Sequence, residues 1–389
     1  MHVSVGEMMG DAMIPLRVAV LKAKKGECTA LKNLDDSTNS KILPLFEVGA
    51  MTAAILELKY ISASTTPVMT YLNHVLDAVV GAWQGRPAMV DCYQWAHNAR
   101  VENGDHVVAY AVSRLQADGV PVVPVIGYDR WESVEYRFGM SSIPVPRDGH
   151  YCLRLDHFAI EDSAEPDVFA RTVGDIIEEL VLEPQKCSVL LDFADISMDV
   201  ASIEATAAKA SDMIRQLEVF GFKYFIICGC SLPGSIDLAV SDRDSQGFVL
   251  RKEMLIWKML REEFPGLAIV GGDYGVRGPT TKEIRSKYTN GKIRYSVRDQ
   301  EFVVRGHPFL DDHDHLQMYG LAEAVVTSPH FLSGDFSWGD AQILLGSHRG
   351  GALDLSRWIA IDTNHHLTFV VQEVEEFERQ LVTRVHSLV

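Results

Sequence analysis

Apolar residues in this chain gather in short, nearly unbroken runs, and eight such runs alternate with longer stretches of helical spacing. The strand-like runs are Leu16–Leu21, Ile42–Val48, Ala88–Tyr93, Val120–Gly127, Tyr151–Asp156, Ser188–Phe193, Tyr224–Cys228 and Ala268–Asp273. Segments such as VPVVPVIG and KYFIICGC scarcely alternate, which suits parallel strands covered on both faces. Between them the helical stripes are plain. Phe169, Val173, Ile176, Ile177 and Leu180 share one face after Pro166, a residue suited to a first helical turn. Leu367, Val370, Val371, Val374, Phe377 and Leu381 form another such stripe. Eight strands alternating with helices predict an α/β fold, a single (β/α)₈ TIM-type barrel over 1–389; an open doubly wound sheet is the alternative.

One connection breaks the rhythm. After Asp273 about 90 residues pass before the last helical stripe, including the hairpin-like KIRYSVRDQEFVVRG and a helix near His315–Ala324. An excursion after a barrel strand emerges on the face where barrel enzymes keep their sites. Residues 275–366 are therefore expected to form a cap over that face, with a peripheral oligomerisation arm as the alternative.

Strand parity sorts the side chains. It sends Cys152, Arg154 and Asp156 into the barrel, with Ser188, Leu190 and Asp192. It groups Leu43, Leu45 and Glu47, then Met89, Asp91 and Tyr93, then Ile269, Gly271 and Asp273, with the glycine leaving room near the axis. Val18, Val20, Lys22 and Lys24 form the set from the first strand. The expectation is a ring of Glu47, Asp91, Asp156, Asp192 and Asp273 at the carboxyl ends of five strands, with Arg154 and Lys22 or Lys24 among them. Desolvating charges is expensive unless they are paired, so the ring implies mutual pairing, a bound metal or an open wet pocket.

Three chemistries suit such a ring. Carboxylates around one centre can hold Mg²⁺ or Mn²⁺. Two held apart can work as acid and base in hydrolysis. Lys22 or Lys24 can anchor a phosphate, or form a Schiff base. Metal-assisted or acid–base hydrolysis of a phosphate- or sugar-containing small molecule ranks first, with Asp91, Arg154, Asp156, Asp192 and Asp273 as catalytic candidates. Lys22, Lys24, Glu47, Tyr93 and Tyr274 are candidates to bind its substrate. Ser337 reads as a helix N-cap, and Trp338 as packing or as a flat platform for a ring. His365 and His366 precede the last stripe and either cap it or reach the pocket.

Composition narrows the picture. Apolar residues make up 47% and charged ones 23%, which permits a large core. The formal charge of −17 argues against a broad nucleic-acid surface. No apolar run reaches membrane-spanning length, and the start lacks a secretory pattern, so a cytoplasmic protein without membrane contact is expected. Six cysteines without a C-x-x-C pair read as reduced, buried thiols. GGDYG at 271–275 runs into a turn rather than a helix and is not a dinucleotide fingerprint.

Several motifs combine into a resemblance. They are Lys22-x-Lys24, Gly26-Glu27 with Ala30, Leu31 and Leu34, then Ile42-Leu43-Pro44-Leu45-Phe46-Glu47 and Gly272-Asp273-Tyr274-Gly275. Arg294–Tyr295, Phe336-Ser337-Trp338-Gly339-Asp340, and Trp358 followed by Thr363-Asn364-His365-His366-Leu367 complete the set. Together they resemble the beta family of phages and bacteria, typified by the bacteriophage T4 beta protein, from about residue 14 to 375. The resemblance implies a place in phage–host conflict or antiviral defence, beside a protein partner encoded nearby, and brings no catalytic assignment. It strengthens Glu47, Asp273, Trp338, Asp340, His365 and His366 as site candidates. Two roles follow: an enzyme using the carboxylate ring, or a non-catalytic barrel that senses a small-molecule ligand or binds an effector.

Overall fold

The computed structural model describes residues 14–146, 148–198, 201–279, 288–312, 315–351 and 354–386. Eight parallel strands close on themselves in the order β1 (Arg17–Lys22), β2 (Ile42–Glu47), β3 (Ala88–Asp91), β4 (Val122–Gly127), β5 (Cys152–Leu155), β6 (Ser188–Asp195), β7 (Tyr224–Cys230) and β9 (Ile269–Asp273). The closing pair matches Val18 of β1 with Gly272 of β9. The fold is a TIM-type barrel rather than an open sheet, and all eight apolar runs supply its strands.

Parity holds for most of the wall. Val18, Val20, Leu43, Leu45, Met89, Val123, Val125, Cys152, Leu190 and Ile226 fill the interior as one cluster. Ala19, Leu21, Phe46, Val90, Ile126, Leu153, Leu155, Val189 and Leu191 face the helices. The helix Pro166–Glu179 buries Phe169, Val173 and Ile176 as the stripe requires. All six cysteines are free and buried, and burial pushes thiols such as Cys28 up to about 12, which keeps them unreactive.

The last barrel strand departs from the expected parity. Val270 joins the interior cluster while Ile269 packs in the helical layer. A Cβ on Gly271 would lie 2.0 Å from Arg17 Nη1, so this glycine makes room outside the barrel for a guanidinium, not near the axis. Asp273 accordingly faces the helical layer. Two adjacent glycines carry no apolar alternation from which its direction can be read.

A second layer flanks the mouth. β10 (Asn290–Val297) and β11 (Gln300–Pro308) form the expected hairpin, and β8 (Ser245–Leu250), from the connection between β7 and β9, pairs antiparallel with β11. One face of this sheet presents Val303, with Val249 beside it, to Cys230, Leu232, Ile236, Val240 and Tyr274 at the barrel mouth. The other face packs Ile293, Tyr295, Phe302 and Val304 against Met318 and Leu321 of the helix Gln317–Val326, Ile343 of the helix Trp338–Ser347, and Trp358.

The last helix runs Leu355–His386, so His365 and His366 lie within it rather than at its start. Both are buried. The apolar stripe begins late because Asp362, Asn364, His365 and His366 each bond to a group inside the protein. Among the described residues no helix is long and apolar enough to cross a membrane.

Candidate functional site

The mouth of the barrel gathers three of the five acids around one guanidinium. Arg154 Nη2 donates to Glu47 Oε1 at 2.9 Å and to Asp192 Oδ2 at 2.6 Å, and its Nη1 donates to Asp91 Oδ2 at 2.8 Å. Tyr274 accepts from Arg154 at 2.8 Å and donates to Asp192 at 2.6 Å. The Tyr93 ring lies 4.9 Å from the Arg154 guanidinium carbon. Arg130, from the loop after β4, donates to Asp91 Oδ1 at 2.7 Å. Glu47, Asp91, Arg130, Arg154, Asp192 and Tyr274 are all buried.

The charges are nearly balanced. Burial raises the Glu47 carboxyl to about 7 against the pull of Arg154. Burial also opposes ionisation of Asp91, but Arg130 and Arg154 outweigh it and hold that carboxyl below the usual range. Arg154 stays charged despite burial, because Tyr274, Asp192, Glu47 and Asp91 surround it. Three carboxylates thus face two guanidiniums, and Glu47 titrates near neutrality. Buried ion pairs persist only with close hydrogen bonding of this kind; Glu47 Oε2 is the one carboxylate oxygen of the three acids without a partner among the described residues.

The donor set does not fit Mg²⁺ or Mn²⁺. Arg154 occupies the centre toward which the carboxylates point, where a cation would have to sit. Among the described residues no group of three or more His, Cys, Asp or Glu side chains is arranged to hold a metal ion.

The remaining candidates lie elsewhere. Asp156 precedes the helix His157–Asp162 and sits 3.2 Å from His157 Nδ1, apart from the cluster, because β5 ends at Leu155 and releases the chain from strand parity. Asp273 accepts from Arg17 at 2.5 Å, and its Oδ1 lies 3.1 Å from His366 Nε2. His366 Nδ1 lies 2.7 Å from Ser296 Oγ and 3.2 Å from Glu301 Oε1. Burial disfavours the imidazolium, yet Asp273 and Glu301 raise His366 to about 9. Asp273 is driven far below the carboxylate range by His366 and Arg17, against the effect of burial. This chain of charges stitches the barrel wall to the side sheet and the last helix.

Asp340 and His365 form a separate buried unit. Asp340 accepts from Tyr295 at 2.6 Å and from Ser337, the N-cap of its helix, at 2.5 Å. His365 Nδ1 lies 2.8 Å from Asp340, and its ring stacks on Tyr295 at 3.7 Å. Trp338 carries the Arg357 guanidinium 4.5 Å above its ring, at the start of the same helix. None of these three reaches the barrel mouth.

Lys22 ends β1, and Lys24, the N-cap of the helix that follows, lines a different feature. A cleft of about 870 Å³ opens beside the carboxyl end of that strand. The helix Lys25–Lys32 packs against both the helix Pro67–Trp83 and the last helix, and all three line the cleft with β10. Lys24, Lys25, Lys32, Arg277, Lys292 and Arg294 face it, and among its described lining residues Asp362 is the one carboxylate. Arg294 donates to Asp362 Oδ2 from its backbone N at 3.1 Å, while Oδ1 of that buried side chain has no partner among the described residues. Burial raises Asp362 to about 7. The Lys292 ammonium makes no hydrogen bond or ion pair among the described residues, though its backbone lies in the β10–β11 ladder. Burial and the neighbouring Arg294 lower it to about 7.

Sequence reasoning missed Arg130, Arg17, Glu301 and most of the cleft. Lys292 and Arg294 stand two apart on one strand and so share a side, a signal that was present but had no partner element to give it meaning.

A family model described as Beta protein matches residues 18–372. The chain belongs to that family. The motifs that carried the resemblance are structurally linked in this Beta protein family member: Asp273 meets His366, and Asp340 meets His365. Among solved structures the chain is similar to the biosynthetic arginine decarboxylase SpeA from Campylobacter jejuni. The identity is 11%, over 93% of this chain and 56% of that one, with a TM-score of 0.32. The chain spans little more than half that enzyme's length, and so weak a likeness carries no argument. Comparison with curated proteins finds no match.

Proposed function

We propose that this Beta protein family member is a ligand-sensing barrel that binds a phosphate-bearing small molecule in the basic cleft. One observation carries the reading. In a chain of formal charge −17, six cationic side chains converge on a cleft with a single described carboxylate. Cations are gathered against their mutual repulsion only where something offsets it; Asp362 beside Arg294 and the buried Glu27 near Lys24 and Arg277 offset part of it, and an anionic ligand offsets the rest. A phosphoryl group accepts several charge-assisted hydrogen bonds at once, which suits mixed Arg and Lys donors. This reading favours the non-catalytic role, in which the occupied barrel reports to a protein partner in phage–host conflict.

Calorimetric titration with inorganic triphosphate tests it. Binding should weaken about tenfold in Lys292→Gln, the loss of one charge-assisted contact. Absence of binding, or equal affinity in the variant, would overturn the reading.

A second reading, hydrolysis of a phosphate- or sugar-containing substrate at the mouth, draws support from Glu47. A carboxyl near pH 7 is poised for general acid work. If it holds, Glu47→Gln abolishes turnover of phosphate-ester or glycoside substrates while melting unchanged.

A further inference from the structure

The cleft is far larger than a phosphate group requires, and its walls differ in character. Along the helix Pro67–Trp83, Val75, Ala78 and Ala82 recur at helical spacing, half-buried, and line the cleft as a smooth apolar strip. Gly81 extends that strip, and a Cβ there would meet nothing within 4 Å. On the other side stand Lys292 and Arg294 of β10, with Asp362 of the last helix. Between them the helix Lys25–Lys32 approaches the last helix so closely that a Cβ on Gly26 would lie 2.9 Å from Ile359 Cγ2.

Two buried polar atoms on the lining residues lack partners among the described residues. They are Asp362 Oδ1 and the indole N–H of Trp358. Buried polar groups are nearly always satisfied, and both atoms are sealed behind the cleft surface, so they mark a tension in its wall that a side-chain shift toward an occupant would relieve. The volume, about 870 Å³, is that of a pocket for a molecule of drug size. A strip built from alanine and glycine offers a flat face rather than a tube, which suits a planar ring better than an alkyl chain.

Resting on the anion-binding reading above, we infer that the occupant is a nucleotide, its phosphates held by Arg277, Lys292 and Arg294 and its base laid along Val75, Ala78 and Ala82. The cations hold the charged end and the strip desolvates the ring. Lys292 gains an ion pair that none of the described residues gives it. An anion so placed favours the protonated forms of both Lys292 and Asp362, which share the cleft, so binding draws in protons near neutral pH.

The test compares probes on the full chain. ATP, GTP, CTP and UTP, inorganic triphosphate and geranyl diphosphate are titrated into the wild type, Ala78→Leu and Lys292→Gln, with thermal melting confirming that both variants fold. At least one nucleotide should bind tenfold or more tightly than triphosphate. Ala78→Leu, which fills the strip, should remove that advantage and leave triphosphate binding within about twofold. Lys292→Gln should weaken both. Triphosphate matching every nucleotide, geranyl diphosphate outcompeting them, or Ala78→Leu leaving nucleotides unaffected would overturn the nucleotide assignment alone. If no phosphate probe binds, the anion-binding reading falls with it.

Discussion

At the scale of single residues, the buried charges are set by neighbours more than by residue type. His366 titrates at about 9 in the folded protein because Asp273 and Glu301 face it, against about 6.5 when unfolded. The folded state therefore holds the extra proton between those values. Its stabilisation, on the order of 3 kcal/mol, is complete below about pH 6.5 and lost as pH rises through 9. Denaturant titrations of wild type and His366→Gln should show a stability gap that narrows between pH 6.5 and 9.5; a constant gap would refute the pairing. Arg154 is the other decisive residue. Arg154→Met leaves Arg130 on Asp91 and the Tyr274 hydroxyl on Asp192 but takes the cation from Glu47, and removing one partner of a buried ionic network costs about 3–5 kcal/mol. A urea midpoint close to wild type would show that the cluster relaxes without penalty.

At the scale of elements, close approach decides which contacts are possible. A Cβ on Gly339 would lie 2.5 Å from Ile361 O and 2.9 Å from His365 N, so the helix Trp338–Ser347 touches backbone of the last helix. Neither backbone can step aside cheaply. Gly339→Ala is expected to destabilise the protein by about 1–3 kcal/mol, measured as a lower denaturation midpoint, whereas an unchanged midpoint would show that the two helices separate freely. The same scale explains what the sequence disclosed. The eight barrel strands were legible because each is a dense apolar run, and so were three members of the acid cluster, since parity on β2, β3 and β6 is clear. Asp273 was misdirected because Gly271 and Gly272 leave β9 without alternation. Arg130 was missed because a loop has no periodicity. β8 went unseen because an edge strand alternates exposed and half-buried residues, Phe248 and Leu250 among the exposed, and reads as connection.

At the scale of the whole molecule, barrel and side sheet share one apolar cluster, in which Val303 sits with Cys230, Leu232 and Tyr274. The two layers should therefore unfold together. Calorimetry is expected to record one transition whose van't Hoff and calorimetric enthalpies agree, and Val303→Asp should lower its temperature as a unit. Two resolved transitions would show that the layers stand independently. The centre of the mouth is filled by Arg154 and its partners, and the cleft proposed to take a ligand lies to one side, where β1, the last helix and β10 meet.

The origin of β8 sets a timetable for synthesis. Leu250 pairs with Gln300, fifty residues further along the chain. A growing polypeptide thus releases this strand from the ribosome well before its mate exists, with Phe248 and Leu250 open to adventitious pairing. Slow translation across residues 251–300 would prolong that exposure, and insoluble product should rise with the delay.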